Sequence, residues 1–61
     1  MRISGLLTQG ARGLGVLTDA SELWVLERDE VDVDLLGQRV TVEGALQGID
    51  RIRVDWIGLQ P

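Results

Sequence analysis

The sequence predicts an all-β fold, formed by one small barrel of five strands. Three observations lead to this prediction. Short apolar runs are separated by glycine-rich or polar segments at the spacing of strands and turns. Two segments near the C-terminus alternate apolar and polar residues with a period of two, which is typical of half-buried strands. The only proline is Pro61, and no repeat or linker divides the chain, so we expect a single domain over residues 1–61.

The first half of the chain predicts a meander of three strands. These strands cover residues 2–8, 14–18 and 22–27. Gly10 and Gly13 can adopt the positive φ angles that a first tight turn needs, and the polar side chains of residues 19–21 favour a second turn. The third strand contains four successive apolar residues, 23–26, so we expect apolar contacts on both faces and a central position in the sheet.

Residues 28–36 are ambiguous. Alternating apolar residues favour a strand, whereas two acidic residues followed later by Gly37 favour a short helix. We expect a turn or a single helical turn that lays Leu35 and Leu36 over one end of the sheet and leaves the aspartates in water.

Residues 39–43 and 51–56 predict an antiparallel C-terminal hairpin. If Gly44 lies opposite Asp50, most charged residues face opposite charges and the apolar residues face each other. The pairs are then Glu43–Arg51, Thr41–Arg53, Arg39–Asp55 and Val42–Ile52. A shift of two residues would again match Glu43 with an arginine, so the sequence leaves the register open.

A meander of three strands, a connector and a hairpin form the element order of an oligonucleotide/oligosaccharide-binding (OB) barrel. Further motifs lie in residues 5–7, 24–26, 36–44, 49–50 and 54–57, and the most specific is Gly37-x-x-Val40-x-Val42-x-Gly44. On these residues the chain resembles, over nearly its full length, an uncharacterised family of small bacterial domains with short OB-like barrels. The resemblance implies a fold and no activity, because the family has none assigned.

The composition limits the chemistry available to the chain. Cysteine and histidine are absent, so the chain lacks the residues that form disulfides, most zinc sites and most nucleophile–base pairs. Asp32, Asp34, Gly37 and Glu43 match the spacing of a calcium-binding loop, but Leu36 stands where an oxygen ligand belongs. We therefore predict no catalytic residue, no metal site and no cofactor.

The two tryptophans are the only aromatic residues. Trp56 shares the phase of Ile52 along the last strand, which assigns it to the core. Trp24 is opposite in phase to Leu23. If Trp24 lies on the outer face beside Leu26, the two form an interaction patch, most simply a dimer interface.

All six basic residues are arginines, and ten acidic residues give a net charge of −4. This charge repels nucleic acid phosphates over the molecule as a whole. Arg39, Arg51 and Arg53 nevertheless alternate onto one face of the predicted hairpin and would form a local positive stripe. Weak oligonucleotide binding through these arginines is therefore the second functional hypothesis.

The leading hypothesis is a noncatalytic binding or interaction module whose protein partner is unknown. Chains below about 70–80 residues rarely gain more than ~3–5 kcal/mol from one core. Self-association into a homodimer would add to that stability. Residues 1–10 lack the apolar stretch of a signal peptide, and no segment reaches the length of a membrane span, so we expect a cytoplasmic protein without a membrane partner.

Overall fold

Five strands build the barrel, with bounds that agree with the sequence pattern to within a few residues. They are β1 (Arg2–Gly10), β2 (Gly13–Leu17), β3 (Leu23–Glu27), β4 (Arg39–Leu46) and β5 (Arg51–Leu59), with a 3-10 turn at Val33–Leu35. This computed structural model describes residues 1–28 and 33–60. The strands close in the order β1-β2-β3-β5-β4, so the predicted all-β, OB-like barrel is confirmed.

The strand pairing follows the predicted meander and hairpin. β1, β2 and β3 pair antiparallel in chain order. β5 pairs parallel with β3 and antiparallel with β4, and β4 closes the barrel against β1. β3 lies between β2 and β5, but each strand of a closed barrel has two neighbours, so the pairing does not distinguish β3 as the central strand. The first turn uses Gly13 at a φ of 101°, while the second turn places Ser21 at a φ of 62°.

The core fills the inside of the barrel with aliphatic side chains from every strand. The buried cluster consists of Leu7, Leu14, Val16, Leu26, Val40, Val42 and Ile52. β2 and β4 each contribute two alternate residues to this cluster, because successive side chains of a strand point to opposite faces. The interior is therefore packed, and contacts with other molecules must form on the outer wall or at the ends.

The connector between β3 and β4 contains the expected single helical turn, the 3-10 turn at Val33–Leu35. Leu35 and Leu36 pack against the core cluster, as predicted. Asp34 is exposed, whereas the expectation of solvated acids at residues 29–32 lies outside the described residues. In the described part of the chain, no helix is long and apolar enough to cross a membrane.

The C-terminal hairpin is antiparallel, as predicted, but both registers considered from the sequence are wrong. Val42 lies opposite Ile57 rather than Ile52, and Glu43 lies opposite Trp56. The turn is also tighter, with the Gln47 N–H donating to the Arg51 carbonyl at 2.7 Å. The longer strands bring Ile57 onto the core, so burial of apolar area decides the register rather than the matching of charges.

A β-bulge in the hairpin explains the position of Trp56. Glu43 pairs with Trp56, but Gly44 pairs with Val54, which leaves Asp55 as the extra residue. The extra residue reverses the phase of β5, so Val54 and Ile57 both pack against the core. Trp56 consequently faces outward and is 51% exposed. Its assignment to the core was wrong for this reason.

Candidate interaction surface

Trp24 and Leu26, the predicted interaction patch, face the inside of the barrel. Trp24 lies opposite the fully buried Val16 and packs against the core cluster. Leu26 belongs to the core cluster and is only 5% exposed. The outward placement on which this patch depended is therefore wrong. In a strand with four successive apolar residues, alternation alone does not identify the inner face.

The outer wall instead carries an apolar row on three adjacent strands. Leu6 of β1 lies opposite Leu17 of β2, and Leu17 lies opposite Leu23 of β3. All three alternate with inward residues of their strands and therefore face outward. Leu17 is 41% and Leu23 is 42% exposed. We call these three residues the leucine row.

The leucine row is bordered by charged residues. Arg39 of β4 lies opposite Leu6, and its Nη2 donates to both carboxylate oxygens of Asp19, at 3.0 and 3.2 Å. Glu22, which precedes Leu23 in the chain, is also exposed. An apolar centre with a polar border is the usual anatomy of a protein–protein contact.

The three arginines predicted to form one stripe are divided by the observed register. Arg53 lies opposite Ala45, which is six residues from Arg39 along β4, or about 20 Å at roughly 3.3 Å per residue. Arg51 and Arg53 remain neighbours on the outer face of β5. Arg51 contacts Glu27 at 3.2 Å, and Arg53 lies 3.9 Å from Asp55. These carboxylates reduce the positive potential that a phosphate would meet.

An ion pair that the sequence gave no reason to expect joins two turns of the barrel. Arg12, between β1 and β2, donates two hydrogen bonds to the Asp50 carboxylate, at 2.7 and 3.3 Å. The hydrogen bond with Arg12 lowers the pKa of Asp50, and the same bond raises the pKa of Arg12. The Asp50 carbonyl also accepts the N–H of Val25 at 2.8 Å. The ion pair therefore fastens the β4–β5 turn to the β1–β2 turn, and the backbone hydrogen bond fastens it to β3.

Within residues 1–28 and 33–60, no group of three or more acidic residues is placed to hold a metal ion. Of the calcium-like spacing, Asp32 lies outside the described residues, and Glu43 contacts Arg2 at 3.3 Å within β4. No buried side-chain polar atom in these two segments lacks a hydrogen-bond partner.

Comparison with known proteins identifies the family. Residues 4–60 match the model of a family described as a protein of unknown function, DUF5818. No curated protein matches the chain significantly, and no solved structure does so either. The family match covers nearly all of the chain and confirms the resemblance to a domain family without an assigned activity. The chain therefore belongs to the DUF5818 family.

Proposed function

We propose that this domain is a noncatalytic interaction module that binds protein surfaces through the leucine row, and that its first partner is a second copy of itself. The observation that carries the proposal is the alignment of Leu6, Leu17 and Leu23 on three adjacent strands, with two of them more than 40% exposed. Side by side, these leucines form a continuous apolar strip on the outer wall.

The closed sheet determines how a partner can bind. Because the barrel is closed, its described strands offer no long free edge to which a partner could add a strand. Contact must therefore occur through side chains of the outer wall. The leucine row is narrow, and interfaces burying less than about 1,200 Å² in total are weak or transient. We accordingly propose a reversible association in the micromolar range or weaker.

The symmetry of the leucine row favours a second copy as the partner. Arg39 stands beyond the Leu6 end of the row and is already paired with Asp19. A two-fold axis through Leu17 would place Leu6 of one copy against Leu23 of the other. Such an isologous contact matches apolar to apolar along the whole row.

The remaining parts of the proposal rest on composition. Without cysteine, histidine or lysine, the chain has few groups that could act as a nucleophile or a general base at neutral pH. We therefore propose a module without catalysis or cofactor. As a separate proposal, we place the protein in the cytoplasm of a bacterium. Cell fractionation with an antibody to the native protein would test the location.

Sedimentation equilibrium tests self-association. We expect the weight-average mass to rise above the 6.7 kDa of one chain as concentration increases through the micromolar range. Leu23→Ser should lower the association constant, because it removes the apolar contact with Leu6 of the other copy at both ends of the two-fold interface. Leu59→Ser is the matched control, since Leu59 is also exposed but lies on β5. A constant mass of one chain, or equal loss in both variants, would overturn the proposal.

Weak binding of single-stranded nucleic acid is the second candidate. The observation in its favour is that Arg51 and Arg53 lie on the outer face beside the β4–β5 turn, one of the loops with which OB barrels bind oligonucleotides. Fluorescence anisotropy with single-stranded DNA and RNA at low salt tests it. Binding that falls steeply with salt and is lost in an Arg51→Ala/Arg53→Ala variant would support it, and no binding at low salt removes it.

A further inference from the structure

A second surface lies on the outer wall of β1, β4 and β5. It combines a polar depression with an exposed aromatic ring. The depression has a volume of about 250 Å³, is open to solvent, and is lined by Arg2, Ser4, Thr41 and Gln60. We call it the polar hollow. It lies on the outer wall of β1 and β4, where Ser4 faces Thr41 directly across the two strands.

Trp56 does not line the polar hollow itself, but its indole lies over Gly58, which is beside the lining residue Thr41. A Cβ built on Gly58 would lie 2.7 Å from both Cη2 and Cζ2 of Trp56, so the ring lies across Gly58. Gly58 is the cross-strand neighbour of Thr41. Since Trp56 is half exposed, the ring has an accessible surface beside a polar floor. The bulge at Asp55 creates this arrangement, because it turns Trp56 outward.

The floor of the hollow retains hydrogen-bonding capacity. Ser4 Oγ and Thr41 Oγ1 lie 2.9 Å apart and share one hydrogen bond, so one hydroxyl donates and the other accepts. The pair then still has one O–H donor and several lone pairs to offer. Thr41 is only 6% exposed, which fixes the position of these groups. The amide of Gln60 and the guanidinium of Arg2 add further donors and one acceptor at the rim.

The charges of this wall decide which ligand class fits. Arg2 contacts Glu43 at 3.3 Å, and Glu43 lies opposite Trp56. An anion would meet this carboxylate in a protein of net charge −4, while a cation would meet the guanidinium. A neutral ligand with vicinal hydroxyls uses donors and acceptors together and has an apolar C–H face that can pack on an indole.

We propose that the polar hollow and Trp56 form a binding site for one neutral sugar ring. The ring packs against the indole, and its hydroxyls bond to Ser4, Thr41 and Gln60. Binding pockets for drug-sized ligands have volumes of about 300–1,000 Å³, so a hollow of about 250 Å³ accommodates a single ring. Because the hollow is open, the dissociation constant lies in the millimolar range.

Two-dimensional ¹⁵N–¹H NMR of the full chain tests the proposal with glucose, mannose, galactose and N-acetylglucosamine as probes. At least one of these sugars should shift the Trp56 indole N–H and the amides of Ser4 and Thr41, with saturation at millimolar concentrations. No shift with any of the four overturns the proposal. Shifts produced by inorganic phosphate and not by a sugar also overturn it, because they identify an anion site.

Variants distinguish the site from unspecific effects. Trp56→Ala should abolish the saturable shifts, while Leu46→Ala, which alters another exposed residue, should leave them unchanged. Gly58→Ala should weaken binding because its methyl displaces the indole, whereas Gly10→Ala has no heavy atom within 4 Å of the new methyl and serves as its control. Undiminished binding in Trp56→Ala would refute the site. Since the leucine row is unaltered in these variants, failure here leaves the proposed self-association standing.

Discussion

Replacing Gly44 with alanine tests the bulge that gives the barrel its shape and turns Trp56 outward. Gly44 pairs with Val54 immediately after the register shift. A Cβ built on Gly44 would overlap the carbonyl oxygen of Arg53 and lie 2.9 Å from Cγ2 of Ile52. Because the first obstacle is backbone, the new methyl fits only if β4 and β5 separate locally.

The expected loss of stability follows from this local separation. Overpacking costs about 1–3 kcal/mol, and each ladder hydrogen bond that is lost adds about 0.5–1.5 kcal/mol. We therefore expect Gly44→Ala to lower the free energy of unfolding by about 3 kcal/mol. A domain of this length has a free energy of unfolding of about 3–9 kcal/mol, at roughly 0.05–0.15 kcal/mol per residue. The Tm should fall by about 12–24 °C, at roughly 4–8 °C per kcal/mol.

Thermal unfolding followed by circular dichroism, with urea unfolding as a second measurement, gives both quantities. Gly10→Ala is the matched control, because its methyl meets open space, and it should leave the Tm unchanged or slightly raised. If Gly44→Ala unfolds at the same temperature as Gly10→Ala, the close approach of Gly44 to Arg53 is absent and the bulge is misplaced.

Three further predictions concern the turns, the strand phases and the core. Arg12 lowers the pKa of Asp50, so the stability from this pair is full above the ordinary aspartate pKa and is lost as pH falls through the lower folded value. The Tm of the native protein, measured against pH, should show this decline in acid, and the decline should be smaller in Asp50→Asn. Identical pH profiles for the two proteins would contradict a stabilising role for the pair. In Trp24→Phe the remaining fluorescence, from the exposed Trp56, should be red-shifted and quenched by iodide. In Trp56→Phe the remaining fluorescence, from the inward Trp24, should be blue-shifted and protected from iodide. The reverse pattern would contradict the inward placement of Trp24 and the outward placement of Trp56. Leu7→Ala removes a fully buried side chain and should cost about 2–5 kcal/mol in urea unfolding; a loss as small as that of an exposed leucine would contradict its place in the core.

The number of strands and their positions along the chain could be predicted, because they depend on the local pattern of apolar and polar residues. Period-two alternation in residues 39–43 and 51–56 defines two strands whatever their partners. The register could not be predicted, because the charged residues find partners outside the hairpin. Glu43 contacts Arg2, and Arg39 contacts Asp19. Alternation within one strand carries no information on such distant partners.

The candidate surfaces were harder to predict, for two physical reasons. In β3 the apolar side chains occupy both phases, so nothing local distinguishes the inward Trp24 from the outward Leu23. In β5 a single inserted residue, Asp55, reverses the pattern on which the assignment of Trp56 depended. Gly44 was a signal that could have been used, because a glycine within a strand often marks a bulge.

The parallel contact between β3 and β5 sets the order in which the barrel can assemble during synthesis. Parallel neighbours cannot be joined by a tight turn, and β5 follows the other four strands of the barrel in chain order. As the nascent chain leaves the ribosome, β3 and β4 each keep one side unpaired until residues 51–59 have been added. A chain interrupted before Arg51 would carry two open edges, which promote aggregation. Loss of β5 therefore leaves an open, aggregation-prone sheet and not a smaller barrel.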